Sequence, residues 1–241
     1  MEANTPEAWY FNLPKITRIA LTSCFATTCL VQFGLLDPFM IILDWKLVTQ
    51  SYHIWRPFTA AVYLGRFSLP FLMSLYFLTS FGGKLEKSER FAGSPADYVY
   101  FLIIVILSCA VLSLLLAWPR GYPLTGQSVV FSLLYYWSRC EPEARLSLWG
   151  FEVKGYQFPF AMMAFTFLSG GEIWPDVLGL GAGHVYFFLK DVVPVEYGWD
   201  IMRTPRWFRG LFLDSRRVPG RVNPPATARV FGGPAYRLGR D

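Results

Sequence analysis

Apolar residues along this chain are concentrated in long runs that polar segments separate. The longest run, residues 98–118, reads YVYFLIIVILSCAVLSLLLAW and contains no charged residue. Its 21 residues are enough to cross a hydrocarbon core of about 30 Å as an α-helix. The other apolar runs are shorter and interrupted. A protein with one anchor would not need them, so the pattern predicts several helices that share the membrane.

An all-α polytopic membrane protein is therefore predicted. The composition supports this class, because 16% of the residues are charged whereas soluble domains carry about 25%. Arg66 and Pro70 interrupt the second run, which makes that span the weakest. The six predicted spans are residues 16–36, 69–81, 98–118, 124–137, 158–169 and 177–189.

The charges between the runs predict the orientation. The first 18 residues are polar and contain two prolines, so no cleavable signal peptide is expected and the first span would direct insertion. Lys and Arg are enriched in cytosolic loops. Both termini, including residues 1–15, are therefore predicted to be cytosolic. Their side carries Lys15, Arg18, Lys84, Lys87, Arg90, Arg139, Arg145, Lys154 and the basic tail; the other side carries Lys46, Arg56, Arg66 and Arg120.

The four cysteines, at positions 24, 29, 109 and 140, form no CxxC pair. This spacing favours neither a disulfide framework nor a zinc site. We expect the cysteines to pack as small apolar residues, and no metal or other cofactor is expected.

The segment of about residues 36–68 is too polar for a span and too apolar for a free loop. We expect it to lie in the membrane interface on the lumenal side as short amphipathic helices. It contains Trp55 and Arg56, followed by Pro57, which disfavours helical geometry at Arg56. One interpretation is an aromatic anchor with an arginine that extends to the headgroups. The other is that this anchor holds the loop at a depth where it meets a substrate.

The tail, residues 190–241, is basic and rich in proline and glycine. It contains ten Lys and Arg residues and accounts for most of the net charge of +5. Basic segments next to a membrane span are typical of contact with anionic lipid, so no nucleic-acid partner is expected. From about Arg216 the composition cannot bury a core, which predicts disorder until a partner orders the segment.

The last predicted span contains GLGAGHVYFFL, in which Gly179 and Gly183 lie one turn apart. This GxxxG spacing lets a neighbouring helix approach closely. His184 follows directly, and an ionisable group inside a membrane marks either function or a buried hydrogen bond. Both interpretations of His184 stay open at this point.

The fourth span begins LTGQSVVFSLLYYWSR and places Ser128 just inside an apolar helix. Together with His184 it forms the candidate catalytic pair of an intramembrane serine protease. A serine nucleophile needs a histidine within hydrogen-bond reach and donors for the oxyanion. This enzyme is the alternative to a non-catalytic protein.

Four motifs occur in a specific order along residues 9–208: WR, LLYYWSR, GxxxGHVYFFL and MRTPRWF. In this order they resemble the Derlins, plant Derlins in particular. The resemblance implies a rhomboid-like fold, the endoplasmic reticulum membrane, and a non-catalytic role in moving misfolded proteins to the cytosol for degradation. Rhomboid proteases carry GxSG, whereas Val129 follows Ser128 here and adds a branched side chain where glycine is needed.

The resemblance also implies partners. Derlins recruit the AAA ATPase valosin-containing protein through a tail motif of the form FxGxGxxL. Phe231, Gly233 and Leu238 match this motif, and Ala235 stands in place of its second glycine. Further implied partners are a membrane ubiquitin ligase complex, misfolded lumenal and membrane proteins, and other Derlins in a homo- or hetero-oligomer.

The predicted fourth to sixth spans are shorter than a bilayer. Apolar runs of about 12–14 residues rise about 20 Å, less than the ~30 Å core. We therefore hypothesise that the protein thins the membrane beside a lateral cavity that is open to the cytosol. A transporter would need paired intramembrane charges or broken repeats, which the sequence does not contain. A purely structural scaffold would leave the tail motif unexplained.

Overall fold

The computed structural model of the protein describes residues 5–148, 151–200 and 202–213. Most of these residues are helical, as predicted for the class. The helices are α1 (Pro6–Asn12), α2 (Lys15–Gln32), α3 (Pro38–Ile41), α4 (Trp45–Gln50), α5 (Arg56–Val62), α6 (Leu69–Phe77), α7 (Gly83–Lys87), α8 (Glu89–Ala92), α9 (Pro95–Leu116), α10 (Gly126–Cys140), α11 (Phe158–Leu168), α12 (Trp174–Phe187), α13 (Val193–Tyr197) and α14 (Arg206–Leu213).

Helices form where the apolar runs predicted them. The first, third, fourth, fifth and sixth predicted spans lie on α2, α9, α10, α11 and α12, and a π-helical turn, Leu78–Gly82, joins α6 to α7 in the second. Within the described ranges, α9 is the one helix that is long and apolar enough to cross a membrane by length and composition. The six crossings therefore stay a prediction.

Pro70 begins a helix instead of interrupting one. It lies in the first turn of α6, where its missing N–H has no intrahelical partner to lose. The hydroxyl of Ser68 accepts a hydrogen bond from the backbone N–H of Phe71 at 3.4 Å. Arg66 lies before the helix. The two residues that weakened the second predicted span thus lie at its boundary.

Glu86 in α7 joins the first two predicted spans. Its carboxylate accepts the backbone N–H groups of Ile16 at 3.0 Å and Thr17 at 2.8 Å, and the hydroxyl of Thr17 at 2.8 Å. The first turn of a helix has unpaired N–H groups and a partial positive charge, and a carboxylate satisfies both. We call this end of the bundle, where α9 begins and α12 leads into the C-terminal segment, the tail end.

Three buried rings hold α9, α10 and α12 together near the tail end. The ring centroid of Phe101 lies 5.0 Å from that of Tyr136 and 4.6 Å from that of Tyr186. The rings of Tyr136 and Tyr186 meet edge to face at 5.2 Å. Such pairs stabilise packing beyond the area that they bury. This cluster fixes the positions of the helices that carry the candidate site.

The prediction of an all-α chain is wrong in one place. Two antiparallel strands, β1 (Arg145–Leu148) and β2 (Phe151–Lys154), pair between α10 and α11. Leu146 lies opposite Val153, and both pack against the core, whereas Ser147 and Glu152 lie on the other face. This alternation of apolar and polar positions is the signal of a half-buried strand, but each strand has only four residues and is short beside the helical runs.

Candidate functional site

α10 and α12 run in the same direction and touch through small residues. A Cβ atom added at Gly179 would lie 2.4 Å from the carbonyl oxygen of Ser128. One turn later, a Cβ atom at Gly183 would lie 2.9 Å from Cδ1 of Tyr135 and 3.1 Å from the carbonyl oxygen of Ser132. Glycine at both positions permits this approach.

Ser132 links the two helices at the same level. Its hydroxyl lies 2.8 Å from the carbonyl oxygen of Ser128 in its own helix and 2.8 Å from the carbonyl oxygen of Gly179 in α12. The thiol of Cys109 in α9 lies 3.7 Å from the same hydroxyl. Close packing of Gly179 on α10 thus permits an interhelical hydrogen bond, and no motif in the sequence marks Ser132 as its donor.

Ser128 and His184 are not paired. Ser128 is fully buried, and its hydroxyl has no hydrogen-bond partner among the described residues. The residue of α12 that lies against it is Gly179, which has no side chain to act as a base. Nδ1 of His184 instead lies 2.8 Å from the hydroxyl of Tyr135, which follows Ser128 by about 10 Å of helix rise. The geometry is not that of a serine–histidine catalytic pair.

His184 belongs to a hydrogen-bonded chain that ends at an arginine. Nε of Arg139 donates to the hydroxyl oxygen of Tyr135 at 3.0 Å. The proton of that hydroxyl is then free to be donated to Nδ1 of His184. The guanidinium carbon of Arg139 also lies 5.8 Å from the ring centroid of Phe187, within range of a cation–π contact. These contacts give His184 a structural hydrogen bond, although the residue is exposed and not buried.

The expectation that Arg56 extends to the headgroups is wrong. Its side chain is buried and donates to the carbonyl oxygens of Phe39 at 3.0 Å and Ile42 at 2.8 Å, and to Nδ1 of His53 at 3.1 Å. The expectation of non-helical geometry is also wrong, since Arg56 opens α5 with Pro57 in the first turn. The carbonyls at the end of α3 lack intrahelical partners, and a planar guanidinium can satisfy two of them at once.

Trp55 differs from Arg56. It precedes α5, its ring stacks on His53 with centroids 4.7 Å apart, and 52% of it is exposed. The two residues therefore have different roles. Arg56 stabilises the loop from inside, and Trp55 exposes an aromatic ring on its surface.

α6 and α11 contact each other at the tail end, and both carry exposed apolar side chains. Phe158 at the start of α11 lies 5.5 Å from Phe81 and 6.4 Å from Phe77 between ring centroids. Along their length both helices expose large apolar side chains. These are Leu69, Leu72, Met73 and Tyr76 on α6, and Phe160, Phe165, Phe167 and Leu168 on α11.

The loops at the end opposite the tail end are joined. The phenol of Tyr122, between α9 and α10, donates to the carboxylate of Glu172, between α11 and α12. Burial and the Glu172 carboxylate raise the pKa of Tyr122, so its phenol stays protonated and keeps donating at neutral pH. This contact stabilises the loops where α10 and α12 begin.

A cavity of about 300 Å³ opens at the tail end. Arg90 pairs with Asp191, and Arg209 donates to both oxygens of Asp97 at 3.0 Å. Tyr136 lies between the first pair, 3.3 Å from each partner. The lining comprises Arg90, Phe91, Asp97, Tyr136, Tyr186, Lys190, Asp191, Met202, Thr204 and Arg209. The partners of these two ion pairs lie 101 and 112 residues apart in the chain, so no local pattern of the sequence relates them.

The predicted ATPase-binding residues, Phe231, Gly233, Ala235 and Leu238, lie outside the described residues. The motif that precedes them, MRTPRWF, falls largely on α14 and the segment before it. Its Arg206 begins α14, and Thr204 is buried against the cavity. This part of the tail is therefore packed against the bundle.

The helices that carry the ordered motifs fall within a region that matches a known protein family. The model of the Der1-like family matches residues 13–206, which include every helix from α2 to α13. The chain belongs to the Der1-like family. The resemblance to Derlins stated from the sequence is confirmed, and with it the prediction of a membrane protein.

Plant Derlins are among the similar proteins. Derlin-1 of Arabidopsis thaliana is 37% identical over 233 residues, which cover 95% of this chain and 84% of that protein. Derlin-2 of Oryza sativa subsp. japonica is 33% identical over 248 residues, with 99% and 98% covered. Derlin-1.1 of Zea mays is 32% identical over 243 residues, with 98% and 99% covered. The similarity of this Der1-like chain thus extends over nearly the whole length of each protein.

Proposed function

We propose that this protein is a non-catalytic component of endoplasmic-reticulum-associated degradation, which helps to move misfolded proteins into the cytosol. Membership of the Der1-like family supports this role. The observation that carries the non-catalytic part is the contact between α10 and α12. Gly179 covers the backbone of Ser128, and the hydroxyl of Ser128 is buried without a partner. A nucleophile in this position lacks both a base and access to a substrate.

The proposed architecture is a rhomboid-like bundle of six spans in the endoplasmic reticulum membrane, with both termini in the cytosol. The hydropathy of the six runs and the excess of Lys and Arg on the terminus side support it. In this orientation the tail end is the cytosolic end. The Trp55 loop, α3 to α5, then lies in the lumenal interface.

The proposed mechanism uses the short helices and the exposed faces of α6 and α11. α11 has 11 residues, which rise about 16 Å, far less than a bilayer core of about 30 Å. Lipid beside it must thin, and a thinner core lowers the cost of exposing a polar backbone to hydrocarbon. The apolar faces of α6 and α11 form the lateral side along which a substrate segment would enter. The charged cavity at the tail end would receive it toward the cytosol.

The tail then recruits the ATPase that extracts the substrate. Apolar residues at the two ends of a flexible segment, Phe231 and Leu238, are suited to a groove on valosin-containing protein. A membrane ubiquitin ligase complex and other Derlins are the further proposed partners.

The decisive experiment measures the half-life of a misfolded lumenal reporter in cells whose own Derlins are replaced by this protein. Four versions are compared: the wild type, Ser128→Ala, the double variant Phe231→Ala with Leu238→Ala, and Tyr236→Ala as a control in the same segment. We expect the double variant to lengthen the half-life, whereas Ser128→Ala and Tyr236→Ala leave it unchanged.

Two results would contradict the proposal in different ways. If Ser128→Ala alone stops degradation and a cleaved reporter fragment disappears, the protein is a protease. If the double variant degrades the reporter at the normal rate while still inserted in the membrane, the tail does not recruit the ATPase.

A further inference from the structure

α14 is fixed to the bundle by one of its faces. Arg209 forms two hydrogen bonds of 3.0 Å with the carboxylate of Asp97, and the ring of Phe208 lies 5.8 Å from that of Tyr100 in α9. Asp97 directly precedes the charge-free run that begins at Tyr98. α14 therefore lies beside the first turns of α9, at the level where the charge-free run begins.

None of the residues that the structure describes covers a second face of α14. Trp207 is 70% exposed and Leu211 69% exposed. The two residues are four positions apart and so lie on one side of the helix. Arg206 and Gly210 lie on a third side and are also exposed. The helix thus has one face docked on α9, one apolar face that is open, and one polar face.

More exposed apolar side chains occur at the same end of the bundle. Val195 and Tyr197 of α13 and Trp199 just after it are all largely exposed. Trp and Tyr prefer the boundary between hydrocarbon and water, where an apolar ring can be buried while its polar group stays hydrated. Together with Trp207 and Leu211 they form an apolar collar around the tail end.

The charges around this collar have a positive excess. Three carboxylates at the tail end are paired: Asp97 with Arg209, Asp191 with Arg90, and Asp200 with Lys190. Arg203 and Arg206 have no ion pair among the described residues and are exposed. Glu196 is also exposed and has no ion pair among the described residues, so two unpaired arginines stand against one unpaired carboxylate. An apolar face beside unpaired arginines is complementary to a membrane surface with anionic headgroups.

We propose that the collar, Val195, Tyr197, Trp199, Trp207 and Leu211, binds a lipid surface and that Arg203 and Arg206 select anionic headgroups there. α14 is then an interfacial helix that lies in the plane of the membrane and is fixed at the correct depth by Arg209 and Asp97. The inference requires a membrane around the bundle, and it holds whether or not the protein moves misfolded substrates.

The test compares two cysteine variants of the full chain in nanodiscs. Leu211→Cys places a thiol on the apolar face, and Gly210→Cys places a matched thiol on the polar face, where a Cβ atom meets nothing within 4 Å. Nanodiscs contain phosphatidylcholine alone or equal parts of phosphatidylcholine and phosphatidylserine. A water-soluble maleimide is added, and mass spectrometry of the peptide that contains α14 gives the labelling rate at each site.

We expect Leu211→Cys to react about tenfold more slowly than Gly210→Cys, and phosphatidylserine to widen that ratio, because each arginine near an anionic surface stabilises the bound helix. Adding Arg203→Gln and Arg206→Gln should remove the effect of phosphatidylserine. Trp207→Cys repeats the measurement at a second position of the apolar face, and hydrogen exchange of α14 shows whether each variant keeps its helix.

Equal labelling of both faces in both lipids would overturn the proposal. It would also fail if Leu211→Cys reacted rapidly in every nanodisc but was protected by added valosin-containing protein. The face would then be a surface for a protein and not for lipid.

Discussion

Arg56 shows how one side chain can determine the shape of a loop. Only 6% of its surface is exposed, and its guanidinium holds the end of α3 against the start of α5. In the sequence it stands next to Trp55, and such a pair is typical of an interfacial anchor. The structure separates the two residues, because two carbonyl groups at the end of α3 need donors and the single indole N–H of Trp55 cannot supply both.

Replacement of Arg56 by Lys is expected to destabilise this loop. An ammonium group cannot reproduce the planar contact with both carbonyl groups, and a buried acceptor left unpaired costs about 1–3 kcal/mol. Hydrogen exchange over residues 37–62 in detergent micelles should therefore accelerate. Trp55→Ala is the control and should change exchange little; equal acceleration in both variants would contradict this role of Arg56.

Ser128 and Ser132 test the interpretation of the α10–α12 interface at the level of single hydroxyl groups. Ser132 makes an interhelical hydrogen bond, so Ser132→Ala should lower the free energy of unfolding by about 1 kcal/mol. The hydroxyl of Ser128 is buried without a partner. Ser128→Ala removes an unsatisfied group and should leave stability unchanged or raise it. Thermal unfolding of the two variants in one detergent gives the comparison, and a larger loss for Ser128→Ala would show that its hydroxyl has a partner.

At the scale of elements, α10 and α12 form the interface on which the candidate site depends. The GxxxG pattern predicted that Gly179 and Gly183 allow close approach of another helix, and the structure identifies that helix as α10. It also shows that the two glycines are not equivalent. Gly179 faces backbone, whereas the nearest atom to Gly183 is a carbon of the Tyr135 ring.

Gly179→Ala is expected to separate the helices, because its Cβ atom would lie 2.4 Å from the Ser128 carbonyl oxygen, which cannot move freely. Overpacking of this kind costs about 1–3 kcal/mol. Gly181→Ala is the matched control on the same helix, because its Cβ atom would meet the flexible end of Leu112 at 3.3 Å. Thermal unfolding should show a clear loss for the first variant and a small change for the second. Equal losses would mean that helix propensity, and not interhelical contact, sets the result.

At the scale of the whole molecule, the lengths of the helices are unequal. α9 has 22 residues, about 33 Å of rise, and α11 has 11 residues, about 16 Å. If α11 crosses the membrane as proposed, a flat bilayer cannot match both helices and the lipid beside α11 must deform. This contrast supports the proposed thinning on the side of α6 and α11.

Stability should accordingly depend on bilayer thickness. Mismatch costs fractions of a kcal/mol per Å, so the protein should unfold at a higher temperature in dimyristoyl-phosphatidylcholine nanodiscs than in dieicosenoyl-phosphatidylcholine nanodiscs. Both are measured above the melting temperature of their lipids, with empty nanodiscs as the reference. A stability that rises with lipid length would count against membrane thinning by this bundle.

The sequence by itself determined where the helices form. Hydropathy is a local property, so the apolar runs located α2, α6, α9, α10, α11 and α12, and the ordered motifs gave the family. The alternation of Leu146, Ser147 and Leu148 also contained the hairpin, although longer runs obscured it.

Tertiary structure alone decided which partners these residues meet. The burial of Arg56, the contact of His184 with Tyr135, and the pairing of Asp97 with Arg209 join residues that no local pattern relates. Each depends on the relative placement of helices, which is set by packing around the buried rings of Phe101, Tyr136 and Tyr186. The sequence shows a serine at position 128 as a possible nucleophile. Only the structure shows that it has no base nearby, because the residue of α12 that lies against it is Gly179 and not His184.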